Sequence, residues 1–188
     1  MQSEEQLWLE LKKGNRDAFE MLFHRYYEDL YRYGIKFCGN KHMVEDQIQN
    51  LYLKIWMRKK RLGDVKGIKT YLWTALRREL ITAMKKRDKR RKPHQIKYDN
   101  DSFSLPVEDI IIKKEQERFK KTELKKVIDT LSPRQKEILY LRFYEGMSYD
   151  EIEDIMSVNY QVARNYLSQC LKTIKDNINE NISSKSSV

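Results

Sequence analysis

Apolar residues recur three and four positions apart along nearly the whole chain, and no stretch sustains an alternation of period two, so the pattern predicts an all-α protein. Residues 3 to 12 read as a short amphipathic helix closed by Gly14, after which Asn15 can cap a second helix from Arg16 to about Cys38. Its broad apolar stripe runs through Phe19, Leu22, Phe23, Tyr26, Tyr27, Leu30, Tyr33 and Phe37. Gly39-Asn40 stops it, and a third helix from about Met43 to Arg58 offers Val44, Ile48, Leu51 and Ile55 to a core. The turn signals Gly63-Asp64 and Lys66-Gly67 make Lys59 to Lys69 a loop. It leads into a fourth helix, about Thr70 to Lys86, with Leu72, Ala75, Leu76, Leu80, Ala83 and Met84 inward and Tyr71, Thr74, Arg77, Arg78 and Lys85 toward solvent.

Beyond Asp88 this periodicity stops, and Pro93 and Pro106 bracket a stretch with few large apolar residues. The chain therefore divides into two small helical domains joined by a flexible linker: an N-terminal domain over 1–90, a linker over 91–107, a C-terminal domain over 108–180 and a disordered tail over 181–188. The second domain begins with a long charged helix from about Glu108 to Asp129. Ser132-Pro133 opens a helix to about residue 144, carrying Ile138, Leu139, Leu141 and Phe143. Ser148 and Glu151 have capping-box spacing for a helix through Met156, Ser157-Val158-Asn159 is a tight turn, and a last helix runs from Tyr160 to about Asn177.

Two helices joined by so short a turn, with Ile152, Met156, Val158 and Ala163 inward, fit a helix-turn-helix, although an ordinary helical hairpin has the same pattern. In a helix-turn-helix the second helix enters the major groove by its N-terminal end, which presents Tyr160, Gln161, Arg164, Asn165 and Ser168 to bases or phosphates.

Charge sharpens the first domain. The chain carries a net +10, and Lys54 to Lys92 alone holds 16 Lys and Arg against 3 Asp and Glu, so the rest is slightly acidic. Tyr71, Trp73, Arg77 and Arg78 lie inside that block. Aromatics interleaved with cations suit stacking on unpaired bases beside a phosphate track, while a bare charge run suits a solvated face. On the third helix Asp46, Gln49, Asn50 and Leu53 form a mixed face that fits either solvent contact or docking of a partner helix.

Other classes are disfavoured. His24, His42 and His94 are widely spaced and no carboxylate cluster has metal-ligand spacing, which speaks against an enzyme, a metal site, a cofactor or a small-molecule substrate. Cys38 and Cys170 fall within helical patterns and read as buried free thiols. No signal-peptide core and no run of 18 apolar residues is present, so a cytoplasmic protein is expected.

The blocks RDAFEMLFHRYYEDLYRY, VEDQIQNLYLKIW and IKTYLWTALRRELI, followed after the linker by LSPRQKEILYLRFYEGMSYDEIEDIMSVNYQVARNYLSQCLKTIK, resemble the extracytoplasmic-function group of bacterial RNA polymerase sigma factors. The resemblance implies a subunit that directs core polymerase to specific promoters and assists DNA opening. Asp46, Gln49, Asn50 and Leu53 would dock on the clamp helices of the largest polymerase subunit. The loop 58 to 67 and the following helix would recognise the minus-ten element, through Arg58, Lys59, Lys60, Arg61, Tyr71, Trp73, Thr74, Arg77 and Arg78. The helix-turn-helix would read the minus-thirty-five element. An anti-sigma factor, in this family often held at the membrane, is implied as a third partner beside polymerase and promoter DNA.

The chain departs from the family pattern at several positions. Asn50 stands where Glu is usual, Arg78 where Asn is frequent, Glu153 where a small Ala is usual and Ser157 where Gly is usual. Thr74 and Ala75 occupy the place of the tryptophan pair by which primary sigma factors melt DNA. The rival function is an autonomous helix-turn-helix regulator that binds operator DNA without polymerase.

Overall fold

In a computed structural model the structure describes residues 3–65, 67–91, 103–105 and 125–183, all helical or loop in conformation. The chain divides into two compact units, each with its own core.

The first unit begins with α1 (Glu4–Lys13), where the Ser3 hydroxyl accepts the Gln6 N–H and the Gln6 side chain accepts the Ser3 N–H in return. Gly14, at φ 95°, closes α1 in the left-handed region that an L side chain rarely adopts. Asn15 caps α2 (Arg16–Cys38), and Asn40 caps α3 (Lys41–Arg58), which starts two residues before the position the apolar pattern indicates. A 3-10 turn, Lys59–Arg61, follows where the sequence suggests only a loop. The fourth helix, α4 (Ile68–Arg91), is longer than expected at both ends and occupies the first residue assigned to the linker.

Helix α4 packs against α1, α2 and α3 together. A helix enclosed on several sides must bury more than one stripe, and Leu72, Trp73, Leu76, Arg77 and Leu80 are all buried. The expected division of α4 into one inner and one outer face is therefore corrected: Trp73 and Arg77 belong to the packed side, while Ala75, Ala83 and Met84 are only half-buried. Helices α2 and α3 approach closely at Gly34, where an added Cβ would lie 2.6 Å from Val44 Cγ1.

In the second unit, residues 125–130 form the described part of α5; the remainder of the charged helix expected from Glu108 lies outside the described residues. Ser132 and Gln135 form a capping box for α6 (Pro133–Leu139), with Pro133 in the first turn. The helix then widens into a π-turn, Tyr140–Tyr144, in which the Glu145 N–H donates to the Tyr140 carbonyl and the Tyr140 hydroxyl lies 2.8 Å from Glu145 Oε1. This register turns Phe143 out to 63% exposure and buries Tyr140, so of the apolar residues Ile138, Leu139, Leu141 and Phe143 only the first three are buried. Helix α7 (Tyr149–Met156) has the expected capping box of Ser148 and Glu151, and α8 (Tyr160–Ser183) packs along α6. Its last three residues, 181–183, are helical where a disordered tail is expected.

Residues 103–105 of the expected linker are also described. Phe103 is 3% exposed, with its ring 5.8 Å from that of Tyr140, so this part of the linker belongs to the core of the second unit. Residues 92–102 and 106–107 of the linker lie outside the described residues.

Candidate nucleic-acid interface and docking face

The face expected to dock stands on α3. Burial of Val44, Ile48, Leu51 and Ile55 fixes the helix rotation and leaves Asp46, Gln49, Asn50 and Leu53 exposed, as the spacing predicts. Beside them, Phe19 and Phe23 of α2 meet Tyr52 edge to face at 5.9 and 4.9 Å, and Phe19 lies 5.1 Å from Trp56. These rings floor a groove of about 500 Å³ whose rim includes Gln49 and Leu53. Met57, one turn after Leu53, is also exposed and extends the apolar rim. The aromatic floor was missed in the sequence because its rings alternate between core and groove along one stripe of α2.

The residues expected at the minus-ten element are split by the structure. Arg58 ends α3, and Lys60 and Arg61 follow in the 3-10 turn, all three exposed. Lys59 points elsewhere: its Nζ lies 4.0 Å from the centroid of the Trp56 ring and donates to the Trp56 carbonyl at 3.1 Å. That cation already has an aromatic face and a carbonyl, and its role here is to hold the turn. On α4, Tyr71, Thr74, Arg78 and Lys85 share one outward stripe, with Tyr71 and Thr74 half-buried and Arg78 and Lys85 exposed. Burial pushes the Tyr71 hydroxyl above its ordinary pKa, and the nearby Arg58 charge opposes that shift.

Trp73 and Arg77 are not on this surface. Trp73 is fully buried, edge-on to Tyr26 at 6.2 Å and tilted against Tyr33 at 6.4 Å, and Arg77 places its guanidinium 5.5 Å from the Phe37 ring. Their physical role is packing beneath the outward stripe. The sequence signal misleads here because an aromatic beside two arginines looks alike on a DNA face and in a helix enclosed by neighbours.

In the second unit, Tyr160, Gln161, Arg164, Asn165 and Ser168 all stand exposed in the first half of α8, while Ala163, Leu167 and Cys170 face the core. Ser157 makes the turn before them at φ 52°, so the position where the family usually has Gly does adopt the left-handed conformation. The Asn159 side chain accepts the Gln161 N–H at 2.8 Å, satisfying a free donor at the helix start. Gln161 Nε2 then donates to Asn165 Oδ1 at 3.0 Å, which orients two amides of the kind that pair with adenine. Val162, exposed beside them, was not singled out from the sequence, and Tyr149 of α7 packs against Tyr160 at 5.5 Å.

Among the described residues no group of three His, Cys, Asp or Glu could hold a metal ion, and no helix is long and apolar enough to cross a membrane. Cys170 is buried as expected, whereas Cys38 is only half-buried; burial raises the pKa of both thiols, that of Cys170 to about 11.

Comparison with known proteins agrees with this geometry. Residues 22–90 match the family described as sigma-70 region 2, and residues 121–174 match sigma-70, region 4. The chain is 24% identical over 148 residues to RNA polymerase sigma factor SigV of Bacillus subtilis (strain 168), covering 79% of this chain and 83% of that protein. It is 31% identical over 84 residues to the RNA polymerase sigma-F factor of Bacillus licheniformis, a match spanning 44% of this chain and 33% of the relative. Its fold is similar to that of CnrH, solved in complex with the cytosolic domain of CnrY, with a TM-score of 0.61 at 14% identity, covering 95% of this chain and 99% of the other. It is also similar to the sigma factor RpoE of Bartonella quintana, solved with the anti-sigma factor NepR, with a TM-score of 0.58 at 20% identity over 86% and 96% of the two chains.

Two helical units carrying these regions in this order define a protein of sigma-70 type. The chain belongs to the extracytoplasmic-function group of that family and is an RNA polymerase sigma factor. It is a promoter-specificity subunit and not an enzyme.

Proposed function

We propose that this sigma factor docks on core polymerase through Asp46, Gln49, Asn50, Leu53 and the aromatic groove beside them. It contacts the minus-ten element through Arg58, Lys60, Arg61, Tyr71, Thr74 and Arg78, and the minus-thirty-five element through Tyr160, Gln161, Arg164, Asn165 and Ser168. The observation that carries this reading is the exposed amide and guanidinium stripe on α8, set by a left-handed turn and backed by Ala163, Leu167 and Cys170. Phosphate contacts by the basic residues supply affinity, and base contacts supply specificity. With about five phosphates neutralised, the logarithm of affinity falls with the logarithm of salt at a slope of roughly −4.5.

Asn50 contributes an amide to docking where the family usually has a carboxylate, so the contact it makes is a neutral hydrogen bond. Thr74 and Ala75 provide no aromatic wedge, and opening therefore depends on a well-matched promoter. The solved relatives held by CnrY and NepR support an anti-sigma factor as the regulator of this chain, covering the same faces. The place of action is the cytoplasm, where polymerase and promoter are found.

Run-off transcription with core polymerase on genomic fragments tests the assignment. The expected outcome is initiation at defined start sites only when the protein is added, with two shared upstream motifs. Equal transcription with and without it, together with a palindromic footprint by the protein alone, would be the signature of an autonomous regulator.

A further inference from the structure

Helix α1 carries none of the residues assigned to DNA, yet it meets the segment entering α4 at three places. Trp8 is buried, its Nε1 donates to the Gly63 carbonyl at 3.3 Å, and its ring meets Tyr71 edge-on with centroids 5.3 Å apart. One turn later Lys12 Nζ lies 2.8 Å from Asp64 Oδ1, and the ammonium holds that carboxyl below its usual pKa. At the helix end the Lys59 stem crosses Gly14, where an added Cβ would stand 3.4 Å from Lys59 Cε. Residues 8 and 12 share a face, and burial of Leu7 and Leu11 fixes the rotation that turns this face to the loop.

We infer that α1 is a brace for the minus-ten reader, with Trp8 and Lys12 as positioning residues that act through Gly63, Asp64 and Tyr71. The inference rests on the assignment of residues 58 to 78 to the minus-ten element. A loop containing glycine samples many conformations; the correctly shaped ones read bases and the rest hold only phosphates, so discrimination rises with the correctly shaped fraction. The indole donor and the Tyr71 contact raise that fraction before DNA arrives. Since Asp64 is 92% exposed, its ion pair with Lys12 is screened by salt and contributes less than the Trp8 bond.

Trp8→Phe keeps an aromatic ring beside Tyr71 while removing the N–H donor together with part of the buried indole. The test uses the full-length variant with core polymerase, scoring open complexes on a promoter fragment with a mapped start site and on copies carrying single substitutions in the minus-ten element. The expected result is a fall of about fivefold in discrimination between matched and substituted fragments, the factor that one net hydrogen bond carries. Affinity for core polymerase and response to minus-thirty-five substitutions stay unchanged. An unaltered minus-ten ratio in folded Trp8→Phe protein would overturn the brace.

A second pair of variants covers the case in which Trp8→Phe impairs folding. Lys12→Glu lowers minus-ten discrimination at low salt, and combining it with Asp64→Lys restores it; a reversed pair that does no better than the single variant overturns the inference. Wild-type protein with no minus-ten discrimination would instead defeat the assignment of residues 58 to 78 and the brace with it, and that failure is visible without any variant.

Discussion

Helices α4 and α8 each carry cations or amides that the sequence marks as DNA-reading, but only α8 presents the full expected set. Helix α8 rests on its own unit along one side, so Ala163, Leu167 and Cys170 go in and Gln161, Arg164, Asn165 and Ser168 stay out. Helix α4 is enclosed by α1, α2 and α3, and its outward stripe narrows to Tyr71, Thr74, Arg78 and Lys85. The lesson is that periodicity assigns faces reliably only to a helix with one packed side. In this enclosed helix Trp73 and Arg77 are drawn into the core although their sequence neighbours Tyr71 and Arg78 stay on the outward stripe.

The sharpest way to break this contrast is Trp73→Ala. Removing a fully buried indole should cost about 3–5 kcal/mol of unfolding free energy, measured by urea denaturation, with DNA and polymerase functions lost together. Normal stability with a selective minus-ten defect would return Trp73 to the reading surface. Next in size, Arg164→Ala on the exposed stripe should cost about 1–3 kcal/mol in discrimination at the minus-thirty-five element while the unfolding midpoint stays put. An altered midpoint with unchanged promoter preference would make α8 a packing helix like α4.

Much of the architecture was legible from residue pattern because most of it follows local rules. Asn15, Ser132 and Ser148 stand before the helices that the pattern starts there, and Gly14 and Gly39 end helices in the left-handed region, whereas Asn40, read as part of a stop, also caps the next helix. Asp46, Gln49, Asn50 and Leu53, proposed for docking, came out on one exposed face because Val44, Ile48, Leu51 and Ile55 all enter the core. What pattern could not reveal depends on contacts distant in sequence. Phe103 looks like an isolated aromatic in a linker until Tyr140 is placed beside it, and Lys59 looks like a DNA cation until Trp56 is found beneath it. Trp8 carried no signal at all, since its partners Gly63 and Tyr71 lie on other elements.

Smaller effects sharpen the account of α8. Ser157→Gly relieves a left-handed serine at the turn and should raise the stability of the second unit by about 1 kcal/mol, seen as a later denaturation midpoint. A loss of stability would mean that the serine side chain contributes more than the strain costs. Least of all, burial lifts the Cys170 thiol from an ordinary 9.0 to about 11. A thiol that ionises later in the folded chain contributes stability below its unfolded pKa, and that contribution is lost as pH rises through the folded value. Unfolding free energy should therefore decline between about pH 9 and 11, and Cys170→Ala should flatten that part of the profile. An identical alkaline limb in the variant would show that Cys170 does not titrate with folding.

The central claim is that two separate exposed stripes read two promoter elements, Arg78 serving one and Arg164 the other. The direct measurement is run-off transcription by reconstituted polymerase on templates randomised at both elements, sequenced after selection by the wild type, Arg78→Ala and Arg164→Ala. The account predicts that Arg78→Ala relaxes only the minus-ten motif and Arg164→Ala only the minus-thirty-five motif. Relaxation of both motifs by either substitution, or of neither by both, would contradict it.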